Sequence, residues 1–368
     1  MVTGPGLVTP PEPTTRAGGA GGAAKTATDR TTRAVVLARR PVGRLTAGDL
    51  RLCDLPVPDP GPGQALVRNE LMSLDPATRG RMDATDKVYT ANFAVGGPLD
   101  GWAVGQVLES RSPALPVGAT VRHRLGWREL AVVDDTSARV VDVGVAPARS
   151  WLSALGQTGF TAYVGLTRVG RLAPGETVLV SAAAGGVGSV AAQLARLLGA
   201  GRVVGVASAR KRDWLLGELG LDDVLDRAGD VHAGLAALVP GGVDLYFDNT
   251  GGATLAAALR GMRTGGRVVL CGTVSTMEGA APEPGIGALV EAVLRRLTLT
   301  GFIVRDHEDV RPEFESRVAG WLASGRLSDA ATEVAGLERA PAALVDLLAG
   351  GNLGKSLVRL GGLTPEPA

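Results

Sequence analysis

The sequence has 368 residues, of which 45% are hydrophobic, and its formal net charge is +1. This length and composition are enough for two domains with their own cores. The balanced charge gives no basic field, so nucleic acid is not an expected partner. Two distant cysteines, Cys53 and Cys271, predict no disulfide framework and favour a cytoplasmic protein. No run of 18 or more apolar residues occurs, so we expect no membrane span.

The first third of the chain reads as a tail followed by a β-rich domain. Residues 1–32 are rich in Gly, Ala, Thr and Pro, and they lack the basic start and apolar core of a signal peptide. We therefore predict a disordered tail. From Arg33 to about Trp151, short β-branched runs alternate with turns such as Pro58 to Gly63. This pattern predicts an antiparallel β-rich domain over residues 33–152.

The period of the sequence changes after Trp151, where strands begin to alternate with helices. The alternation predicts a doubly wound parallel sheet over residues 153–305, and residues 306–363 are expected to return to the first domain. The predicted strands are Thr177–Ser181, Leu221–Leu225, Val243–Asp248, Gly266–Cys271 and Leu297–Val304, and the predicted helices include Val190–Leu198 and Leu255–Met262.

A glycine turn between the first strand and helix of this region marks a dinucleotide site. The run from Ala183 to Gly188 matches the Rossmann fingerprint, with alanine at the first glycine position. Gly185 would let the backbone approach a pyrophosphate, and Gly188 would let the helix pack closely on the strand. A chance match is the alternative in a chain with 53 glycines, but the strand before the turn and the helix after it argue against chance.

The residues after the second strand indicate which dinucleotide binds. An NAD site usually places an acidic residue about 20 residues after the first glycine position, to bind the ribose 2′-hydroxyl. The corresponding stretch, Ala207 to Lys211, has no carboxylate and two cations. We therefore expect NADPH, whose 2′-phosphate would find positive charge there. The alternative is a solvated basic turn that binds nothing.

Several motifs taken together resemble a known family. The motifs are SLDPATRGRM, GFTAYVGL, SAAAGGVGSVAAQLAR, YFDNTGG, VLCGTVS, TGFIVRDH and GGNLGKSLV. They are similar to those of the zinc-independent medium-chain dehydrogenase/reductases, in the branch of prostaglandin and leukotriene reductases, plant double-bond reductases and bacterial curcumin reductase. The resemblance implies an α/β fold in which a Rossmann doubly wound parallel sheet is joined to a β-rich, GroES-like substrate domain. It also implies hydride transfer from NADPH to the β-carbon of an α,β-unsaturated ketone or aldehyde.

The resemblance also implies a set of cofactor contacts. Asn249 and Cys271 would flank the ribose and nicotinamide, Phe302 and Val304 would contact the nicotinamide end, and Asn352 would return to the cofactor. The alternative for Cys271 and Phe302 is an ordinary core position. The implied cofactor-binding residues are Gly185, Gly186, Val187, Gly188, Ser208, Lys211, Arg227, Asn249, Cys271, Phe302, Val304 and Asn352.

The sequence departs from the family pattern at three tyrosines of the pocket region. Met277 stands where the family tyrosine follows the cysteine motif, Arg227 replaces a second tyrosine, and Ala77 replaces a third. Ala77 and Met277 should leave a roomier and more apolar substrate pocket, which suits a bulky conjugated substrate. The donor to the developing enolate must then be another group. Tyr89 is our first candidate and Arg81 the second, and the cofactor ribose hydroxyl is a further possibility.

Three further expectations concern zinc, alternative functions and the oligomeric state. Two cysteines and three histidines without ligand spacing predict no zinc site. Quinone reduction, or a non-catalytic NADPH-binding sensor, could also use this cofactor site. The long apolar run Leu297–Val304 would form an exposed sheet edge, so we expect it to pair with its copy in a homodimer.

Overall fold

The computed structural model describes residues 30–84, 90–273 and 288–361. Two of the predicted site residues, Tyr89 and Met277, lie outside these described residues, as do residues 1–29 of the expected tail. Within the described part of the chain, no helix is long and apolar enough to cross a membrane.

The N-terminal region is built from antiparallel strands, as its alternating runs and turns predict. β1 and β2 form a two-stranded sheet, and the other strands join a seven-stranded sheet in which β3 is central. β3 pairs with β4 along most of its length and also with β6, because its ten residues leave room for several partners. The elements are β1 (Thr31–Leu37), β2 (Leu50–Pro56), β3 (Gln64–Ser73), α1 (Ala77–Gly80), β4 (Ala103–Ser110), β5 (Thr120–His123), β6 (Leu130–Asp134) and β7 (Arg139–Val140).

The second region is a six-stranded, fully parallel sheet, and this confirms the predicted fold class. Its central strands are buried along almost their whole length because helices cover both sides of the sheet. They are β8 (Thr177–Ser181), β9 (Arg202–Ala207), β10 (Asp223–Asp226), β11 (Val243–Asp248), β12 (Met262–Leu270) and β13 (Thr298–Gly301). The helices are α2 (Gln157–Val164), α3 (Gly186–Leu197), α4 (Arg212–Gly217), α5 (Val231–Leu238), α6 (Gly252–Arg260) and α7 (Leu289–Leu294).

The strand order of this sheet fixes where a ligand can bind. The order is β10-β9-β8-β11-β12-β13, so the direction of winding reverses between β8 and β11. In open α/β sheets, ligands bind at such a reversal, beyond the carboxyl ends of the strands. Ser181 ends β8 and Asp248 ends β11, so these residues mark the crevice.

The C-terminal elements lie against both regions. They are α8 (Arg311–Ala323), β14 (Ala331–Ala335), α9 (Ala340–Leu348) and β15 (Lys355–Arg359). β15 pairs with β3 in the antiparallel sheet, whereas its first residue lies beside the glycine turn of the parallel sheet. The domain boundaries given above stay a prediction.

Two of the element boundaries that differ from the sequence-based expectation bear on the site. α3 begins at Gly186 rather than Val190, because the glycine turn itself caps the helix at Gly185. β13 ends at Gly301 rather than Val304, because a 3-10 helix begins at Val304. Phe302 and Val304 therefore lie just beyond the carboxyl end of the last strand.

Candidate functional site

The glycine turn joins β8 to α3 with almost no space to spare. A Cβ on Gly188 would lie 2.2 Å from the carbonyl oxygen of Ala182, so only glycine permits this approach of helix to strand. Ala182 itself has a φ of 47°, in the left-handed region that tightens the turn. Gly186, Val187 and Gly188 are the first residues of α3, and their N–H groups have no acceptor within the helix. Free N–H groups at the N-terminus of a helix are donors for an anion.

A basic cluster follows the second strand of the parallel sheet. Lys211 is buried, and its Nζ donates to the carbonyl oxygen of Asn352 at 2.6 Å. Burial, followed by the charges of Arg210 and Arg227, lowers the pKa of Lys211 to about 8. The buried Ser208 hydroxyl has no hydrogen-bond partner. The structure thus brings Ser208, Lys211, Arg227 and Asn352 together. A bound anion would accept a hydrogen bond from the buried Ser208 hydroxyl and would balance the excess positive charge.

Residues 350–355, which we call the C-terminal strap, run past both of these features. Arg210 donates to the carbonyl oxygen of Gly350 at 2.7 Å, and the Gly354 N–H donates to Ala184 in the glycine turn at 3.0 Å. Asn352 closes the strap with a bond from its Nδ2 to the Gly354 carbonyl oxygen. The strap therefore holds the basic cluster and the glycine turn in one fixed relation.

Lys355, at the end of the strap, connects the glycine turn to the antiparallel sheet. Its side chain is 4% exposed, and its Nζ donates to Asp75 at 2.5 Å and to the Leu74 carbonyl oxygen at 2.9 Å. The Lys355 Cδ lies only 3.2 Å from where a Cβ on Gly186 would stand. Burial alone would raise the pKa of Asp75, but the Lys355 ammonium holds it below its usual range.

Asp248 organises the switch point of the parallel sheet. Its carboxylate accepts bonds from Ser181 Oγ at 2.9 Å and from Tyr246 OH at 2.6 Å. Asn249 is buried beside it, with its Nδ2 donating to the Ser181 carbonyl oxygen. Burial, then the charge of Asp248, raises the pKa of Cys271 to about 12, so this thiol stays protonated at neutral pH. Cys271 can line a site but is not a thiolate nucleophile.

The carboxyl end of β13 contributes an apolar wall. Phe302, Val304 and Cys271 are partly buried and pack against the same core cluster. Gly165 makes room first for the ring of Phe247 and then for that of Phe302, because a Cβ there would lie 2.4 Å from Phe247 and 3.3 Å from Phe302. This explains why a glycine occurs within the predicted helical run GFTAYVGL.

The predicted residues of the antiparallel region are arranged differently. Ala77 is exposed at the start of α1. Arg81 forms a bidentate ion pair with Asp100 at 2.5 and 2.7 Å, and its guanidinium stacks on Phe93 at 4.0 Å. These contacts hold Arg81 in place, and its catalytic role stays a prediction.

The side chains of residues 30–84, 90–273 and 288–361 bear on the expectation that the protein has no metal site. No group of three or more His, Cys, Asp or Glu side chains in these ranges could hold a metal ion. His123 is buried, and its Nδ1 accepts from the Leu125 N–H at 3.1 Å. Burial, then the charge of Arg128, lowers the pKa of His123 to about 3, so this side chain is neutral.

Comparison with known proteins identifies the family. A family model described as "N-terminal domain of oxidoreductase" matches residues 33–141, and one described as "Zinc-binding dehydrogenase" matches residues 186–320. The NADPH-dependent curcumin reductase of Escherichia coli is 37% identical over 89% of this chain and 96% of its own length. The chain belongs to the medium-chain dehydrogenase/reductases.

Two further proteins are similar to this medium-chain dehydrogenase/reductase over most of its length. The NADP(+)-dependent 2-alkenal reductase of Nicotiana tabacum is 35% identical over 83% of this chain and 89% of its own length. CurA from Vibrio vulnificus, in its crystal structure with NADPH, is 33% identical, covers 90% of this chain and all of its own, and gives a TM-score of 0.84. The predicted family is confirmed by these comparisons.

Sequence reasoning gave no role to several residues of this medium-chain dehydrogenase/reductase that the structure joins by side-chain contacts. Asp75 and Lys355 lie inside quoted motifs, but 280 residues separate them and nothing in the sequence announces their pairing. Trp102 packs against the same core cluster as Phe302, and Arg124 lies over its ring. No local motif marks either residue.

Proposed function

We propose that this protein adds hydride from NADPH to the conjugated C=C bond of a bulky enone or polyene. The protein is an NADPH-dependent oxidoreductase, and its relatives include reductases named for alkenals and curcumin. One observation carries the proposal: a continuous line of groups runs from the basic cluster, past the glycine turn, to the apolar wall at the end of β13. The order of charge and polarity along this line is that of a phosphorylated dinucleotide.

Each part of NADPH has described residues that would contact it. Ser208, Lys211 and Arg227 would hold the 2′-phosphate, and the buried unpartnered hydroxyl of Ser208 supports this assignment. Gly185 to Gly188 would hold the pyrophosphate through backbone N–H groups. The bound cofactor supplies the hydride.

The remaining cofactor contacts lie along the crevice. Asn249 and Cys271 would border the ribose and nicotinamide, and Asn352 would complete the site from the C-terminal strap. Phe302 and Val304 would press on the nicotinamide from the apolar wall and exclude water from the reacting carbon.

The proposed substrate pocket has to accept a large substrate and to stabilise the negative charge that develops on it. A pocket lined by Ala77 and Met277 in place of tyrosines would accept a bulky conjugated substrate, and hydride addition there could be coupled to ring closure. Hydride addition leaves negative charge on the substrate oxygen, which needs a donor placed in advance. Tyr89 is the first candidate, and Arg81 or the cofactor ribose hydroxyl is the alternative.

We further propose a cytoplasmic homodimer joined through the edge of the parallel sheet. β13 is the last strand of that sheet, and α7, which precedes it in the chain and packs on α6, exposes apolar side chains. The exposed fractions are 76% for Val293 and 63% for Leu294. Pairing with a second copy would cover both the strand edge and these side chains. A monomer by light scattering at micromolar concentration would contradict this arrangement.

Turnover with candidate substrates tests the proposed reaction. We expect NADPH consumption with a bulky enone and a product saturated at the former double bond. Tyr89→Phe should lower kcat by about 10²–10³-fold and leave NADPH binding unchanged, as expected for loss of one oxyanion donor. A near-normal kcat in this variant would indicate the cofactor hydroxyl. Turnover of quinones alone would indicate a quinone reductase, and tight NADPH binding without any turnover would indicate a sensor.

A further inference from the structure

The order of the strands indicates which end of the crevice would take the nicotinamide. The basic cluster follows β9 and the glycine turn follows β8, so the proposed 2′-phosphate and pyrophosphate sites occupy neighbouring strand ends. β11 and β12 come next in the sheet, with about 5 Å from one strand to the next. A dinucleotide that continues in this direction places its nicotinamide beyond the carboxyl ends of β11 and β12.

A buried carboxylate, that of Asp248, stands at this end of the sheet. Asp248 is the last residue of β11 and is 1% exposed. Cys271 and Gly272, which follow β12, donate their backbone N–H groups to its carbonyl oxygen at 2.8 and 3.2 Å. Burial is the larger cause of the raised pKa of the Cys271 thiol, and the charge of Asp248 is the other. The field of this carboxylate therefore reaches a residue that is expected to flank the nicotinamide.

Neutral groups hold the Asp248 carboxylate. Its Oδ1 accepts from Tyr246 OH at 2.6 Å, from Ser181 Oγ at 2.9 Å and from the Thr250 N–H at 3.0 Å, and the Gly251 N–H lies 3.1 Å from both oxygens. Among the residues that the structure describes, no cation forms an ion pair with it. Neutral donors stabilise a carboxylate but leave its charge in place, and a buried charge acts more strongly on its surroundings than one in water.

The hydroxyl groups around Asp248 both act as donors to it. Ser181 Oγ accepts the Asn249 N–H at 2.8 Å, so its own hydrogen is left for Asp248. Burial, followed by the charge of Asp248, raises the pKa of Tyr246 well above its ordinary value, so the Tyr246 hydroxyl keeps its hydrogen. The side chain of Asp248 therefore only accepts hydrogen bonds, as a carboxylate does.

Hydride transfer changes the charge at this end of the crevice. The hydride leaves C4 of the reduced nicotinamide with both electrons of its C–H bond, and it forms a new C–H bond at the β-carbon of the enone. The electron pair of the C=C bond moves to the carbonyl oxygen, which takes a proton from a donor, and the nicotinamide ring is left positive. A fixed negative charge near the ring stabilises the transition state more than the reactants, because the positive charge has only begun to form there.

We propose that Asp248 promotes hydride transfer through its charge, which stabilises the positive nicotinamide ring that the reaction leaves. The proposal rests on the proposed function and adds a residue to it. Asp248 acts through its electric field and not by contact with the reacting carbons, so it is a positioning residue in the site. The competing account is that Asp248 only shapes the turn into α6 through its bonds to Thr250 and Gly251.

The relative affinities for NADP(+) and NADPH test the inference without any substrate. The two forms carry the same phosphates and differ in the charge of the nicotinamide ring. Asp248→Asn removes the carboxylate charge, while its amide oxygen can still accept the bonds that Oδ1 accepts. Fluorescence titration and calorimetry give both dissociation constants. We expect the affinity for NADP(+) relative to that for NADPH to fall by about tenfold, the size of one charge–charge interaction screened inside a protein.

Two further variants separate charge from geometry. Asp244→Asn makes the same change near the amino end of β11, roughly 13 Å away along the strand, where Asp244 accepts from Arg263 and from the Thr177 N–H. It should leave the relative affinity unchanged. Tyr246→Phe removes one donor to Asp248 and keeps the charge, so it should not lower the relative affinity for NADP(+). This isosteric variant also tests the proposal if Asp248→Asn does not fold.

The outcomes separate this inference from the proposed reaction. Equal losses of affinity for both cofactor forms in Asp248→Asn would overturn it and leave Asp248 the role of shaping the turn. A fall in the relative affinity for NADP(+) in Tyr246→Phe or Asp244→Asn would also overturn it, because the effect would not depend on the charge at this place. A fall in Asp248→Asn alone, in a protein that turns over no enone, would support the role of the charge while contradicting the reductase proposal.

Discussion

The cofactor side and the substrate side of the crevice are built on different principles. On the cofactor side, a turn of four residues and the end of one strand would supply half of the expected contacts, and the strap bonds directly to both. On the side of the antiparallel sheet, where the substrate is expected, Trp102, Arg124 and Asp75 come from three separate segments and meet only in the fold. The cofactor side is therefore determined by local backbone geometry, whereas the substrate side depends on side chains brought together by tertiary packing.

The largest effect should come from disturbing the backbone of the cofactor side. In Gly188→Ala the new Cβ would meet the Ala182 carbonyl oxygen at 2.2 Å, which backbone groups cannot avoid without moving α3 from β8. We expect a loss of about 3 kcal/mol of stability, measured by denaturant unfolding, with loss of NADPH binding. Gly320→Ala is the control, because Gly320 lies inside α8 with nothing within 4 Å. It should stabilise the protein by about 0.5–1 kcal/mol.

An unchanged midpoint of denaturant unfolding in Gly188→Ala would show that the glycine turn can relax around the new Cβ. The contrast between a cofactor side determined by local backbone geometry and a substrate side determined by tertiary packing would then lose its main support.

The same contrast explains what could be predicted from the sequence. The parallel sheet and the glycine turn were predictable because their signals are contiguous, as in Thr177–Ser181 followed by Gly185 and Gly188. The strand Leu297–Val304 was predicted too long, since its apolar run continues into residues that turn away as a wall. The pairing of Asp75 with Lys355 could not be predicted, because it depends on β15 reaching β3. Short-range backbone features can be read from the sequence, and long-range side-chain pairs cannot.

A second, smaller effect should separate NADPH from NADH. Lys211→Ala removes a cation from the basic cluster, and losing one charge-assisted contact to phosphate should cost about 1.5–3 kcal/mol of NADPH affinity. NADH has no 2′-phosphate, so its binding should change little. Fluorescence titration with both cofactors measures the difference. An equal loss for both would contradict the assignment of Lys211 to the 2′-phosphate.

The pKa of Lys211 adds a pH dependence to that result. A phosphate would raise this pKa above its value of about 8 in the cofactor-free protein. Lys211 therefore contributes its full share of NADPH affinity below pH 8, and this share is lost as pH rises from about 8 through the pKa of the complex. NADPH affinity should weaken over that window in the wild type, while Lys211→Ala should show no such change there.

The smallest effect should come from the ion pair of Lys355 with Asp75, which joins the two sides. Lys355→Met leaves the Asp75 carboxylate without its ammonium partner, while Asp75 remains 28% exposed and can be partly rehydrated. We therefore expect a loss of about 1–2 kcal/mol, less than for a fully buried pair. Asp75→Asn is the matched change on the other partner, and the double variant closes a cycle that isolates the coupling.

The pH dependence of this pair has a definite sign. Because Lys355 lowers the pKa of Asp75 in the folded protein, the pair stabilises the fold above the carboxyl's unfolded pKa of about 4, and this stability is lost as pH falls through the lower folded value. Unfolding curves from pH 7 down to pH 3 should therefore converge for the wild type and Lys355→Met. A stability difference between the wild type and Lys355→Met that stays constant over this pH range would show that Lys355 acts through its packing on Gly186. The ion pair would then not be the contact that joins the two sides.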